Sequence, residues 1–169
     1  METNSDINAD HKEIALSVLA ERDKPLLRNL LELYAYDFTE FDNSDISEYG
    51  EYGYQRLDCY WYENGRRAFL IRVRGKIAGF ILVRELELEA TAYNSVAEFF
   101  ILKKYRKQHI GMEAAKTVFA QIRGNWLVPV MSMNEPAQIF WEKVIQELKL
   151  EYKIIELKSW EGPVFMFRL

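Results

Sequence analysis

Ser95-Val-Ala-Glu-Phe-Phe-Ile-Leu-Lys-Lys-Tyr-Arg-Lys-Gln-His-Ile-Gly-Met-Glu-Ala-Ala-Lys-Thr-Val-Phe-Ala-Gln-Ile-Arg-Gly124 reads as a strand, a basic turn and a helix. The strand is the apolar run from Ser95 to Leu102, interrupted by one carboxylate, Glu98. From Ile110 onward, Ala114, Val118 and Ile122 recur every fourth residue with Ala115 and Phe119 beside them, which is one apolar face of a helix. Arg123 falls in the last turn, and Gly124 stands just beyond, where a left-handed cap is expected. The turn between strand and helix holds Lys103, Lys104, Arg106 and Lys107. A helix N-terminus presents unpaired backbone N–H groups and the positive end of a dipole, so these cations suit a phosphate. They equally suit a solvated basic turn.

Outward from this unit, Ala68–Val73 and Lys76–Val83 form a hairpin around Arg74-Gly75. Gly79 inside the second strand predicts a bulge or a close backbone approach. The polar stretch Arg84–Asn94 links the hairpin to the central strand, in part as an extension of it. Downstream, Trp126–Met131 is a strand that pairs in parallel with Ser95–Leu102 through a right-handed crossover. Pro129 lacks a ladder donor, so one side of that strand is unpaired nearby. Asn134 and Pro136 open a helix with the stripe Ala137, Phe140, Trp141, Val144, Ile145 and Leu148. Tyr152–Leu157 and Val164–Leu169 close the chain as strands around Trp160-Glu-Gly-Pro163. Upstream, residues 1–12 are polar and expected to be frayed. Ile14–Leu19 is a first strand, and Asp23 and Pro25 start a helix carrying Leu27, Leu30, Leu31 and Tyr34. The fold expected is α/β (α+β): a mixed, mostly antiparallel sheet with helices on both faces, in one domain spanning residues 1–169.

At 169 residues the chain has room for a proper core, and its aromatic share of 14% is high. A net charge of −4, with the basic turn local rather than part of a basic face, argues against nucleic-acid binding. The single cysteine, Cys59, has no partner for an internal disulfide, which fits a reducing compartment. With no signal-peptide pattern and no apolar run of membrane length, a cytoplasmic protein without a membrane partner is expected. Only His11 and His109 offer imidazole, so neither a metal site nor a Ser–His–Asp or Cys–His set is indicated.

Tyr105-Arg-Lys-Gln-His-Ile-Gly111 resembles the pyrophosphate loop of the GNAT acetyltransferases, Arg/Gln-x-x-Gly-x-Gly/Ala. Arg106 and Gly111 match its ends, and His109 replaces the first glycine. Asn134-Glu-Pro-Ala137-Gln-Ile-Phe140-Trp141 is similar to the family's Asn-x-x-Ala-x-x-Phe/Leu-Tyr segment. The resemblance runs from about Phe69 to Trp141. It implies acetyl-CoA as acyl donor and an amine as acceptor, with the two parallel strands splayed around the pantetheine arm. The implied donor-binding residues are Phe100, Ile101, Leu102, Arg106, Lys107, Gln108, His109, Ile110, Gly111, Met112, Asn134 and Trp141. A backbone N–H at Ile101 or Leu102 would polarise the thioester. Trp141 stands where the family often has a tyrosine that protonates departing CoA, so Tyr105 or Tyr152 substitutes, or the thiolate leaves unassisted.

Glu98 is the candidate base. Alone among apolar residues in a covered strand, its pKa should rise by desolvation, and some GNAT enzymes carry a base glutamate there. The alternative is a carboxylate satisfied by a nearby cation. Between Asp37 and Glu51 lie six carboxylates and no Lys or Arg, interleaved with aromatics. The resemblance places the acceptor pocket here, with Asp37, Tyr60 and Trp61 as candidate substrate contacts for a small cationic amine. A solvated acidic loop is the competing reading. Two other functions share this sequence pattern: a non-catalytic acyl-CoA-binding domain, and a protein or peptide N-acetyltransferase.

Overall fold

The computed structural model describes residues 13–169; the polar stretch 1–12, with His11, lies outside the described residues. Among the described residues seven strands form one sheet: β1 Ile14–Val18, β2 Arg66–Val73, β3 Lys76–Leu88, β4 Thr91–Ile101, β5 Asn125–Pro129, β6 Tyr152–Leu157 and β7 Trp160–Arg168. Their order is β1-β2-β3-β4-β5-β7-β6, and β4–β5 is the parallel pair. Four α-helices accompany them: α1 Lys24–Asp42, α2 Cys59–Tyr62, α3 Ile110–Gln121 and α4 Glu135–Glu147.

The alternation of the strands splits the core in two. On one face Val83, Val96, Ile101 and Trp126 pack under α3 and α4, through Ala114, Val118, Phe119, Trp141 and Val144. On the other, Leu70, Phe80, Leu82 and Phe100 pack under α1 and α2, through Leu27, Leu30, Leu31 and Tyr60. Helices therefore cover both faces, as expected.

Boundary differences have local causes. β3 and β4 run on through Arg84–Asn94 and meet at Glu89-Ala90, whose φ values of 49° and 61° make a two-residue turn matched to strand twist. Gly124 is not a helix cap: α3 ends at Gln121, and Gly124 exchanges both backbone bonds with Leu169 at 3.1 and 2.9 Å. Trp160–Pro163 belongs to β7 rather than to a turn. Gly79 does mark a close approach, since a Cβ there would lie 1.9 Å from the Phe100 carbonyl oxygen.

Two features open the centre of the sheet. β4 and β5 pair only at Asn94–Trp126 and Ser95–Leu127, then part. β4 also carries a bulge at Ala97, because Leu82 faces Glu98 while the next residue, Val83, faces Val96. A bulge puts two adjacent residues on one face and bends the strand. Here it turns Glu98 toward α1, on the Phe80–Leu82–Phe100 side.

Candidate active site

Beyond Ser95 the edge of β4 that faces β5 has no strand partner. Leu102 N–H donates to the Ala78 carbonyl at 2.8 Å, so it points to β3. By the alternation of an antiparallel ladder, Ile101 turns its N–H and C=O the other way, into the gap. Of the two expected oxyanion donors, Ile101 is therefore the one that faces it, while Leu102 is already engaged. Across the gap Val130 N–H donates to Pro163 at 3.0 Å, on the β7 side. Pro129, one residue earlier, has its missing donor on the β4 side, and no sheet bond is lost there.

At the mouth of the gap, residues 103–109 lead into α3. Lys107 and His109 both take left-handed backbone, φ 57° and 62°. Glycine adopts that conformation without strain, and this chain has His109 there. No side chain caps α3, whereas Asn134 Oδ1 caps α4 by accepting from Ala137 N–H at 3.1 Å. The first-turn N–H groups of α3, from Ile110 to Met112, thus remain free of side-chain caps beside Lys103, Lys104 and Lys107. Gly111 lets α3 approach closely: an added Cβ would sit 3.4 Å from both Ile101 and the Phe140 ring.

Arg106 braces this turn. Its Nε donates to the Ile101 carbonyl at 2.8 Å, a terminal nitrogen donates to Asp37 Oδ2 at 2.5 Å, and the guanidinium lies 5.6 Å from the Phe100 ring centre. Lys103 completes a clamp on Asp37 at 3.2 Å. Burial opposes ionisation of Asp37, but the two cations outweigh it and hold its carboxyl below the usual range. Asp37, expected at the acceptor, thus ties α1 to the turn before α3. Trp61 is likewise committed, since its indole N–H donates to the Leu19 carbonyl at 3.2 Å. Gln108 donates to the Lys104 carbonyl at 2.7 Å.

Glu98 occupies the other side of the strand. Tyr34 donates to Oε2 at 2.7 Å and Tyr54 donates to Oε1 at 3.0 Å. Burial raises the Glu98 pKa, and the two hydroxyls and the charge of Arg84 pull it partly back. Both phenols are pushed up, first by their own burial and then by the Glu98 charge, so they act as donors and stay protonated. The sequence places Tyr34 in a helical stripe and says nothing of where its hydroxyl goes; its ring meets Phe80 and Phe100 edge-on, which aims that hydroxyl at Glu98. Tyr60 is buried on the same face under the Arg66 guanidinium, 5.4 Å from the ring centre.

Trp141 is 5% exposed and packs on Phe99 and Phe119, with ring centres 5.1 and 6.1 Å away. Phe140 lies half-buried, stacked on Phe99 at 5.2 Å. Tyr152 donates to Glu142 at 2.7 Å, so its proton is committed on α4. The acidic residues Glu40, Asp42, Asp45, Glu48 and Glu51 are exposed. The loop that carries most of them is pinned from below, where Glu32 accepts from Tyr52 and Gly53 N–H at 2.8 and 2.9 Å.

A mixed seven-stranded sheet with one splayed parallel pair, an uncapped helix at the mouth of the splay and a desolvated carboxylate beside it is the architecture of an acyl-CoA N-acyltransferase fold. The family described as Acetyltransferase (GNAT) matches residues 27–145, and this chain belongs to that family of acetyltransferases. Among solved structures it resembles an acetyltransferase from Thermus thermophilus, with TM-score 0.67, 15% identity and coverage of 91% of this chain and 94% of that one. An aminoglycoside acetyltransferase from an uncultured soil metagenomic sample, in complex with sisomicin, aligns with TM-score 0.60, 18% identity and coverage of 85% and 93%. The diaminobutyrate acetyltransferase of Paenibacillus lautus, in complex with its substrate and coenzyme A, aligns with TM-score 0.59, 12% identity and coverage of 93% and 95%. No curated protein matches the chain by sequence. No described helix is long and apolar enough to cross a membrane.

Proposed function

We propose that this chain transfers an acetyl group from acetyl-CoA to a primary amine of a small cationic molecule, by direct attack with both substrates bound. The observation that carries the reading is Glu98: a carboxylate set beside the open edge of β4, desolvated, and held by two protonated tyrosines. At identities of 12 to 18% the solved relatives speak for the fold, so the acceptor is argued from the site itself.

Acetyl-CoA supplies an acetyl group already activated as a thioester. The backbone N–H groups from Lys107 to Met112 and the uncapped N-terminus of α3 are placed for its pyrophosphate, with Lys103, Lys104 and Lys107 adding charge. Arg106 shapes that turn through Ile101 and Asp37. The facing edges of β4 and β5, with Phe99 and Ile101 on one side and Pro129 on the other, receive an extended polar arm without losing sheet bonds. Asn134 fixes the start of α4 beside them. Ile101 N–H is the donor for negative charge that builds on the carbonyl oxygen.

The acceptor enters on the α1 and α2 face. An alkyl ammonium has a pKa near that of lysine, about 10.4, so it must shed a proton to attack. Glu98 takes that proton. Its two oxygens each keep a free lone pair beyond the tyrosine bonds, and its raised pKa brings it closer to the working pH of a base.

Thermal unfolding with CoA tests the donor half. At about a hundred times its dissociation constant, CoA should stabilise the fold by roughly 2.7 kcal/mol. Gly111→Asp, which sets a side chain and a negative charge at the helix N-terminus, should abolish that shift. An unchanged melting temperature at saturating CoA refutes the site. Thiol release from acetyl-CoA over a panel of amines tests the acceptor half.

A further inference from the structure

Among the described residues, three side-chain polar atoms are buried with no hydrogen-bond partner: Tyr60 Oη, Arg84 Nε and Ser95 Oγ. Leaving such a group unsatisfied costs its full desolvation, and each one calls for a reason. These three are not scattered. Arg66, Arg84 and Ser95 stand opposite one another across β2, β3 and β4. Strand alternation puts Arg84 on the face of Leu82 and Phe80. The bulge at Ala97 returns Glu98 to the face Ser95 occupies. Tyr60 covers that face from α2.

Charge on this face is unbalanced in a particular way. Arg66 is paired with Glu63 at 2.5 Å. Arg84 Nε is buried without a hydrogen-bond partner among the described residues, and the guanidinium's charge acts on Glu98 through space. Ser95 is 0% exposed, with its hydroxyl idle directly opposite Arg84 in the sheet register. A half-buried guanidinium with an idle Nε and a hydroxyl without an acceptor, beside a carboxylate already held by two tyrosines, form a site short of one anionic group.

We propose that Arg84 and Ser95 form an anion subsite beside Glu98, so that the acceptor is an amine that also carries a carboxylate, of the amino-acid class. This rests on the acetyltransferase reading and narrows its substrate. A guanidinium pairs with a carboxylate through charge-assisted hydrogen bonds. Ser95 donates to the same group, and the amine end lies toward Glu98. An acceptor that bears only ammonium groups would bring one of them against Arg84, and that repulsion selects against it.

The test compares two diamino acids with their decarboxylated forms: lysine with cadaverine, and 2,4-diaminobutyrate with 1,3-diaminopropane. Thiol release from acetyl-CoA is followed for wild type, Arg84→Gln and Ser95→Ala. The wild type should favour the carboxylated member of at least one pair by tenfold or more in kcat/KM, mainly through KM. Arg84→Gln should collapse that ratio toward one. Equal use of both members by wild type overturns the subsite while the acetyltransferase reading stands. If no amine is turned over, the melting temperature with CoA plus each diamino acid decides. A ligand shift lost in Arg84→Gln supports the subsite and counts against the enzyme reading, and no shift overturns the subsite. Ser95→Ala guards against misfolding: without ligand it should melt at or above the wild-type temperature, because it removes an idle hydroxyl. A lower ligand-free melting temperature for Ser95→Ala overturns the proposal.

Discussion

Replacing Tyr34 by Phe removes one atom from the Glu98 site and keeps the ring that meets Phe80 and Phe100 at centroid distances of 5.9 and 5.8 Å. The lost bond is the 2.7 Å donation to Glu98 Oε2. Hydrogen bonds to charged groups contribute about 1.5–3 kcal/mol. That bond favours the charged form, so its loss raises the Glu98 pKa further. A base works only when deprotonated, so the acidic limb of the kcat/KM profile should move to higher pH. The same change has a stability signature. A carboxyl whose folded pKa lies above its unfolded value penalises the fold as pH rises from about 4.3 through the folded pKa. Tyr34→Phe should therefore lose stability at pH 7 and much less at pH 4. Thiol-release profiles from pH 5 to 9, with melting temperatures at the two pH values, give both readouts. An acidic limb that stays in place, in a variant that folds normally, refutes the idea that Glu98 ionisation governs the rate.

At His109, the left-handed φ of 62° separates two substitutions. His109→Gly should change stability by less than about 1 kcal/mol, because relief of strain offsets added chain entropy, and should leave CoA binding intact. His109→Val, with a branched Cβ in that backbone, should lose about 1–2 kcal/mol and weaken the CoA-induced melting shift. Asp37→Asn should cost about 1 kcal/mol at neutral pH, since the clamp on Arg106 and Lys103 is only partly shielded from water. The Asp37 carboxyl is depressed, so its contribution is present above an unfolded pKa of about 3.9 and fades as pH falls through the folded value. Urea titrations of wild type and Asp37→Asn at pH 7 and pH 3 check it, and an equal gap at both contradicts the clamp.

The elements around the splay were legible because each rests on a local rule. Apolar spacing marks α3, Pro129 marks an unpaired strand side, and Asn134 marks the start of α4. The long β3–β4 hairpin was less legible. Glu85 and Glu87 alternate with partly buried residues on a sheet end open to water, and Glu89-Ala90 lacks the usual Asn-Gly or Asp-Gly turn pair. The site was half legible. Glu98 stands out as a lone charge in an apolar strand, but its partners come from α1 and the loop before α2, 64 and 44 positions away. Helical spacing shows that Tyr34 faces the core and not what its hydroxyl meets. The resemblance implies Asp37 and Trp61 as acceptor contacts, yet one side chain pairs with Arg106 and the other donates to a backbone carbonyl. Arg84 stands in a polar link, and only the sheet register sets it against Ser95.

Glu98→Gln decides whether this carboxylate is the base, because it keeps the shape of the side chain and one acceptor while removing the group that takes the proton. General-base assistance typically contributes about 10²–10⁴-fold. The measurement is thiol release from acetyl-CoA with a turned-over amine across pH 6–9, beside the CoA-induced melting shift. Turnover should fall by that factor, with the acidic limb lost and the CoA shift retained. Turnover equal to wild type across that range would contradict it and make Glu98 a structural carboxylate.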